Sequence, residues 1–142
     1  MNYKQGYFTP KHPEKYKGRK DTIIFRSSWE KRCMMFFDQN PSVLEWSSEE
    51  TIISYICGTD NKQHRYFPDF LIKVLDKHGT IKTYLLEIKP ESQCKTPRKN
   101  SKHYLNEALT YIKNQSKWKY ARAYAEARGW EFLVLTEKML GI

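Results

Sequence analysis

Two short apolar stretches with charge set into them constrain this chain most: Phe67-Pro68-Asp69-Phe70 and Leu85-Leu86-Glu87-Ile88-Lys89-Pro90. Phe67, Phe70, Leu71 and Ile72 surround Asp69. Leu85, Leu86 and Ile88 surround Glu87 and Lys89. A strand sends successive side chains to opposite faces, so Glu87 and Lys89 share one face and Leu86 and Ile88 the other. A carboxylate and an ammonium on a greasy strand are costly to bury unless they are paired or bound to a metal. A same-face ion pair on a solvated strand is the ordinary alternative, but a solvated strand alternates polar and apolar residues more cleanly. Asp69 directly after Pro68 also suits a turn or a strand start.

The rest of the chain supplies a frame for these stretches. Residues 1–20 are rich in Lys, Tyr, Gly and Pro without periodicity, which predicts a basic extended arm ahead of one domain over 21–142. A helix is expected from Ser27 to Asn40-Pro41, with Trp29, Cys33, Met34, Phe36 and Phe37 on one apolar stripe. Ser27-x-x-Glu30 reads as a capping box, in which the glutamate reaches back to the N-cap amide. Short strands follow at 43–46 and 51–56. A long strand is expected from His64 to Leu75, with a bulge, edge or bend at Pro68. Asp76-Lys77-His78-Gly79 closes a hairpin onto a strand over 80–89. The loop 91–97 is polar and carries no recognisable motif. Two helices are expected between Lys99 and Arg128, split at Asn114-Gln115-Ser116, with Gly129 as the residue that ends the second. A last, mostly apolar strand over 130–135 reads as interior. The order of elements predicts an α/β fold, a mixed central sheet flanked by helices.

Charge narrows the partners. The net charge is +9. Lys4, Lys11, Lys15, Lys17, Arg19 and Lys20 face only Glu14 in the first twenty residues. Eight further cations face only Glu107 between residues 95 and 122. Basic charge clustered away from the carboxylates points to a polyanion such as nucleic acid. Trp29, Trp118 and Trp130 sit on or beside apolar stripes and are expected to pack in the core. No apolar run is long enough for a membrane span, and no apolar secretory segment opens the chain. Cys33, Cys57 and Cys94 are widely spaced and odd in number, so reduced thiols in a cytoplasmic protein are expected.

The chemistry follows from Asp69, Glu87 and Lys89 together. Across a hairpin, facing Cβ atoms stand about 5 Å apart. Two carboxylates that close repel, and one normally takes up a proton. A divalent cation removes the repulsion, and hard oxygen donors suit Mg²⁺ or Mn²⁺. Lys89, on the same face, is placed to orient an attacking water or to stabilise charge on phosphorus. Glu30 adds a third carboxylate if the first helix lies against the sheet here. Arg26, Lys99, Lys102 and Lys113 are candidate phosphate contacts. So is Arg65, which shares the Asp69 face provided no bulge intervenes. Such contacts position a nucleic acid and carry little sequence information.

Pro68-Asp69 followed by Glu87-Ile88-Lys89 resembles the PD-(D/E)XK nuclease signature. The element order is similar to that superfamily's restriction-endonuclease-like α-β-β-β-α-β core, and Glu30 matches the first-helix acid of many members. The resemblance implies Asp69, Glu87, the Ile88 carbonyl and Glu30 as metal ligands and Lys89 as the catalytic lysine. Gly6-Tyr7-Phe8-Thr9-Pro10, Phe25-Arg26-Ser27-Ser28-Trp29-Glu30, Tyr66-Phe67-Pro68-Asp69-Phe70 and Arg128-Gly129-Trp130-Glu131-Phe132 resemble the head completion nucleases of T-even-like tailed phages. Residues 26–89 are also similar to TnsA-type catalytic domains. These resemblances imply a Mg²⁺-dependent enzyme acting on DNA, in the host cytoplasm during phage assembly or in the virion, beside portal or neck proteins. A TnsA-like strand-cleaving subunit, a junction resolvase and a non-catalytic DNA-binding protein of the phage head are the rival readings.

Overall fold

The computed structural model describes residues 5–141. Among these residues eight strands and three α-helices appear, in the order β1 (Gly6–Tyr7), β2 (Ile24–Phe25), α1 (Ser28–Gln39), β3 (Val43–Ser48), β4 (Ile53–Ile56), β5 (Gln63–Tyr66), β6 (Phe70–Leu75), β7 (Ile81–Ile88), α2 (Tyr104–Glu126), β8 (Glu131–Leu135) and α3 (Glu137–Leu140). The central sheet has the order β3-β6-β7-β8. Its first three strands are antiparallel neighbours and β8 runs parallel to β7. α1-β3-β6-β7-α2-β8 is therefore an α-β-β-β-α-β core, with the β4–β5 hairpin inserted between β3 and β6.

Alternation along β7 divides the core. Leu86 and Ile88 join Met34, Phe37, Trp46 and Phe70 on the α1 side. Leu85 joins Tyr55, Tyr66, Trp118 and Ala121 on the α2 side. Trp46, 1% exposed, anchors the first cluster, with its ring 4.7 Å from Tyr16 and 5.9 Å from Phe37. Trp118 is buried and Trp29 and Trp130 pack partly against the two clusters, in keeping with core roles. The cysteines are free thiols, and burial pushes the Cys33 thiol up to about 12.

Several expectations need correction. The strand expected from His64 to Leu75 is two strands in different sheets, broken at Phe67-Pro68-Asp69. Pro68 has no amide to give a ladder, and the chain changes sheet there. The two helices expected after Lys99 are one 23-residue helix. Asn114 and Ser116 resemble a cap in sequence but serve tertiary docking. Asn114 is buried, and Ser116 Oγ donates to the Ile112 carbonyl at 2.9 Å and accepts the Gly58 N–H at 3.0 Å. Gly58 lets this approach happen, since a Cβ there would meet Ile112 Cγ2 at 3.0 Å. β8 is an edge strand with Leu133 exposed, not an interior one. Phe36 points to solvent although it was expected on the α1 stripe. Gly129 follows α2 at φ 73°, the left-handed turn that favours glycine.

The described part of the basic N-terminal stretch folds back onto the body, and its first four residues lie outside the described ones. β1 pairs with β2, and the Tyr16 side chain is 2% exposed. Lys15 Nζ donates to the carbonyls of Phe37, Asp38 and Asn40 at 2.6, 3.0 and 2.9 Å. Those carbonyls lie at the C-terminus of α1, the Asn40 one also accepting the Val43 N–H, and a cation there meets the negative end of the helix dipole. Asp38 accepts the Lys11 and His12 amides in return.

Candidate active site

The site forms where the C-terminal ends of β3 and β7 meet the start of β6, beside the first turn of α1. Ser27 caps α1 and its Oγ accepts the Glu30 N–H at 3.2 Å. The Glu30 carboxylate accepts the Arg26 N–H at 2.6 Å, one residue before the N-cap amide that the capping-box pattern predicts. That bond turns the buried Glu30 side chain toward the sheet.

Asp69 ties the strand ends together. Its carbonyl accepts the Glu49 N–H at 3.1 Å, and its Oδ2 accepts the Ile88 N–H at 2.7 Å. One ligand atom from each of Glu30, Glu49 and Asp69 lies within 4.8 Å of the others. Glu87, 6% exposed, lies on the α2 side of the sheet, where its Oε1 accepts the buried Tyr66 hydroxyl at 2.9 Å. Asp69 is the residue that feels both groups. Burial and then the Glu87 charge push its carboxyl well above the ordinary range, while the Ile88 N–H pulls it down. Burial also raises Glu87, against the pull of Lys89, Tyr66 and Lys117. Glu30 is raised chiefly by burial. Three neighbouring carboxyls raised by burial mark a site where negative charge is costly without a compensating cation.

Of the predicted acids, the structure brings Glu30 and Asp69 into one cluster and sets Glu87 against Asp69. Lys89 extends β7, its N–H donating to the Leu135 carbonyl at 3.0 Å, and its charge acts on Asp69 and Glu87. The basic candidates fare differently. Arg26 forms a two-pronged pair with Glu49, at 2.8 and 3.0 Å. Arg65 does not share a strand face with Asp69, because the break at Pro68 leaves it on β5, exposed and 5.9 Å from the Phe67 ring. Lys99 and Lys102 lie exposed in the segment before α2, and Lys113 is exposed on α2. A cleft of about 530 Å³ is lined by Glu91, Lys95, Arg98 and Glu107 and by none of the clustered carboxylates.

Sequence reasoning missed Glu49, Tyr66 and Lys117. Glu49 takes φ 55°, a left-handed backbone that is uncommon outside glycine and marks a constrained position. The only hint in sequence is the polar run Ser47-Ser48-Glu49-Glu50 after an apolar strand. Tyr66 reads as one more apolar strand residue, and Lys117 as one lysine among many.

An acid cluster at strand ends, a lysine two residues past the second acid, and an α-β-β-β-α-β core define a PD-(D/E)XK nuclease. The chain belongs to the TnsA-like endonuclease family: the sequence model described as TnsA-like endonuclease N terminal matches residues 40–137. The match starts after α1, so Glu30 lies outside it. The chain is also 37% identical over 139 residues to the head completion nuclease of Enterobacteria phage T4, across 93% of this chain and 90% of that protein. This is a phage nuclease by kinship. No helix among the described residues is long and apolar enough to cross a membrane.

Proposed function

We propose that this protein is a Mg²⁺-dependent endodeoxyribonuclease that trims the ends of packaged phage DNA during head completion, before the tail joins. The convergence of Glu30, Glu49 and Asp69 at the strand ends, with Glu87 beside Asp69, carries this reading. Their donors are all hard carboxylate oxygens, which suit Mg²⁺ and accept Mn²⁺. Asp69, Glu87, the Ile88 carbonyl and Glu30 would hold the cation, and Glu49 joins them. The bound cation supplies an acidified water and neutralises charge at phosphorus.

The chain's own groups do the rest. Tyr66 fixes the Glu87 carboxylate through one hydrogen bond. The Ile88 N–H fixes Asp69. Lys89 holds an ammonium two residues beyond Glu87, where it donates to the phosphate oxygen on which charge grows. Arg65, Lys99, Lys102 and Lys113 hold the strand through its phosphates, and Arg26, whose Nε and Nη2 pair with Glu49, does so through its remaining Nη1. The enzyme works in the host cytoplasm during assembly, beside portal or neck proteins.

Cleavage of supercoiled plasmid, and of linear DNA with single-stranded overhangs, tests this with Mg²⁺, Mn²⁺ or EDTA, for wild type and Glu87→Ala. Metal-dependent cutting that vanishes in the variant is expected, with overhangs preferred. A folded wild type that binds DNA and cuts neither substrate with either metal would refute it.

A further inference from the structure

We propose that Lys117, on α2, contacts a backbone phosphate of the bound DNA beside Glu87. Its side chain is half-buried, whereas Lys113 and Lys119 on the same helix are exposed. Among the described residues no carboxylate lies within ion-pair distance of its Nζ, and no hydrogen-bond acceptor engages it. A half-buried ammonium with no partner is costly to keep. The Nζ stands 5.3 Å from the centroid of Tyr66, the ring whose hydroxyl binds Glu87. That face offers an attraction weaker than an ion pair. The Glu87 carboxylate acts on the Lys117 ammonium more strongly than Asp69 does.

One turn earlier on the same helix face, Asn114 is 3% exposed and its amide nitrogen has no acceptor. Asn114 is buried beneath that face, and Lys117 is the partly exposed donor on the helix that covers Glu87, placed to meet an anion. Lys89 approaches Glu87 from the strand and Lys117 from the helix, so a phosphate at Glu87 would meet cations from both sides. Arg26, by contrast, is already committed to Glu49.

The test uses the full chain. Anisotropy of a labelled DNA duplex with an overhang is measured in EDTA across a salt series, for wild type, Lys117→Met and Lys117→Arg. Each neutralised phosphate contributes about one to the slope of log affinity against log salt. Lys117→Met is expected to lower that slope by about one and to weaken binding about tenfold at fixed salt. Lys117→Arg is expected to restore both. In cleavage assays the methionine variant raises KM. Methionine keeps an apolar stem against the Tyr66 ring and removes the charge, so thermal melting no lower than wild type is expected. A Lys117→Met protein with unchanged slope and affinity overturns the assignment, even if its cutting falls, because that pattern belongs to a residue acting only through Glu87. Only the cleavage arm rests on the nuclease reading. The binding arm judges Lys117 even if wild type cuts nothing, and a cutting wild type beside an unchanged variant refutes Lys117 alone.

Discussion

Replacing Tyr66 with Phe removes one hydroxyl and little else. Tyr66 is 3% and Glu87 6% exposed, so water does not readily replace the 2.9 Å bond between them. A buried hydrogen bond to a charged group is worth about 1.5–3 kcal/mol and a neutral one about 1 kcal/mol. The loss therefore depends on the charge of Glu87. Its carboxyl is raised above 4.5 in the folded protein, first by burial. At about pH 4 it is protonated, and only as pH climbs through the raised value does Tyr66 donate to an anion. Tyr66→Phe should thus cost about 2 kcal/mol at about pH 8 and about 1 kcal/mol or less at about pH 4. Urea unfolding in EDTA at both pH values reads the difference. The same residue orients a proposed ligand, so the Mg²⁺ needed for half-maximal cleavage should rise roughly 10- to 100-fold. Equal destabilisation at the two pH values, with an unchanged Mg²⁺ requirement, would refute the claim that Tyr66 supports an ionised Glu87.

Asp69→Asn should abolish cutting yet raise the melting temperature of the metal-free protein at neutral pH. The wild-type Asp69 carboxyl is raised in the folded state, so the folded chain holds that proton longer. Wild-type stability accordingly falls as pH rises from the unfolded value of about 3.9 through the raised one, and melts across that range should show no such contribution in the variant. Glu49→Gln should raise the Mg²⁺ requirement and shrink the thermal stabilisation that Mg²⁺ gives, measured by melting with increasing Mg²⁺. Lys15→Met removes the cation from the Phe37, Asp38 and Asn40 carbonyls at the end of α1 and should cost about 2–3 kcal/mol in urea unfolding, while DNA cleavage at a temperature where the variant is folded stays at wild-type rate.

Lys15 also shows where reading the sequence stops. Clustered basic charge suggests a nucleic-acid surface, but the same composition serves a helix cap at Lys15 and ion pairs from Lys17 to Glu45 and from Arg19 to Asp21. Composition has no address. The hairpin turn was legible because Asp76 and Gly79 need special local geometry: Asp76 Oδ1 accepts two turn amides, and Gly79 takes φ 78°. The start of α1 was legible for the same reason. The break at Pro68 was visible as an anomaly, but which sheet each half joins depends on residues far away in the chain. Asn114 and Ser116 misled because the polar groups that cap helices also dock helices. Asp69 and Glu87 stood out because charge in an apolar strand is expensive wherever the strand lies. Glu49 did not, because a glutamate after two serines costs nothing until the fold turns it inward.

That difference in cost explains how the site is built. Asp69 is held by two main-chain partners, the Glu49 N–H on its carbonyl and the Ile88 N–H on its carboxylate. Glu30 is held by the Arg26 N–H, and Glu87 by the Tyr66 hydroxyl. None of these bonds needs a cation. The Trp46 cluster on one side of the sheet and the Tyr66–Trp118 cluster on the other fix the strands that carry them. The acids are therefore held in place by the fold itself, and the order of the site does not depend on a cation. Burial, joined at Asp69 by the Glu87 charge, raises these three neighbouring carboxyls together. The proposed cation would therefore meet little conformational entropy cost at these side chains, and its binding free energy would go into the contacts themselves.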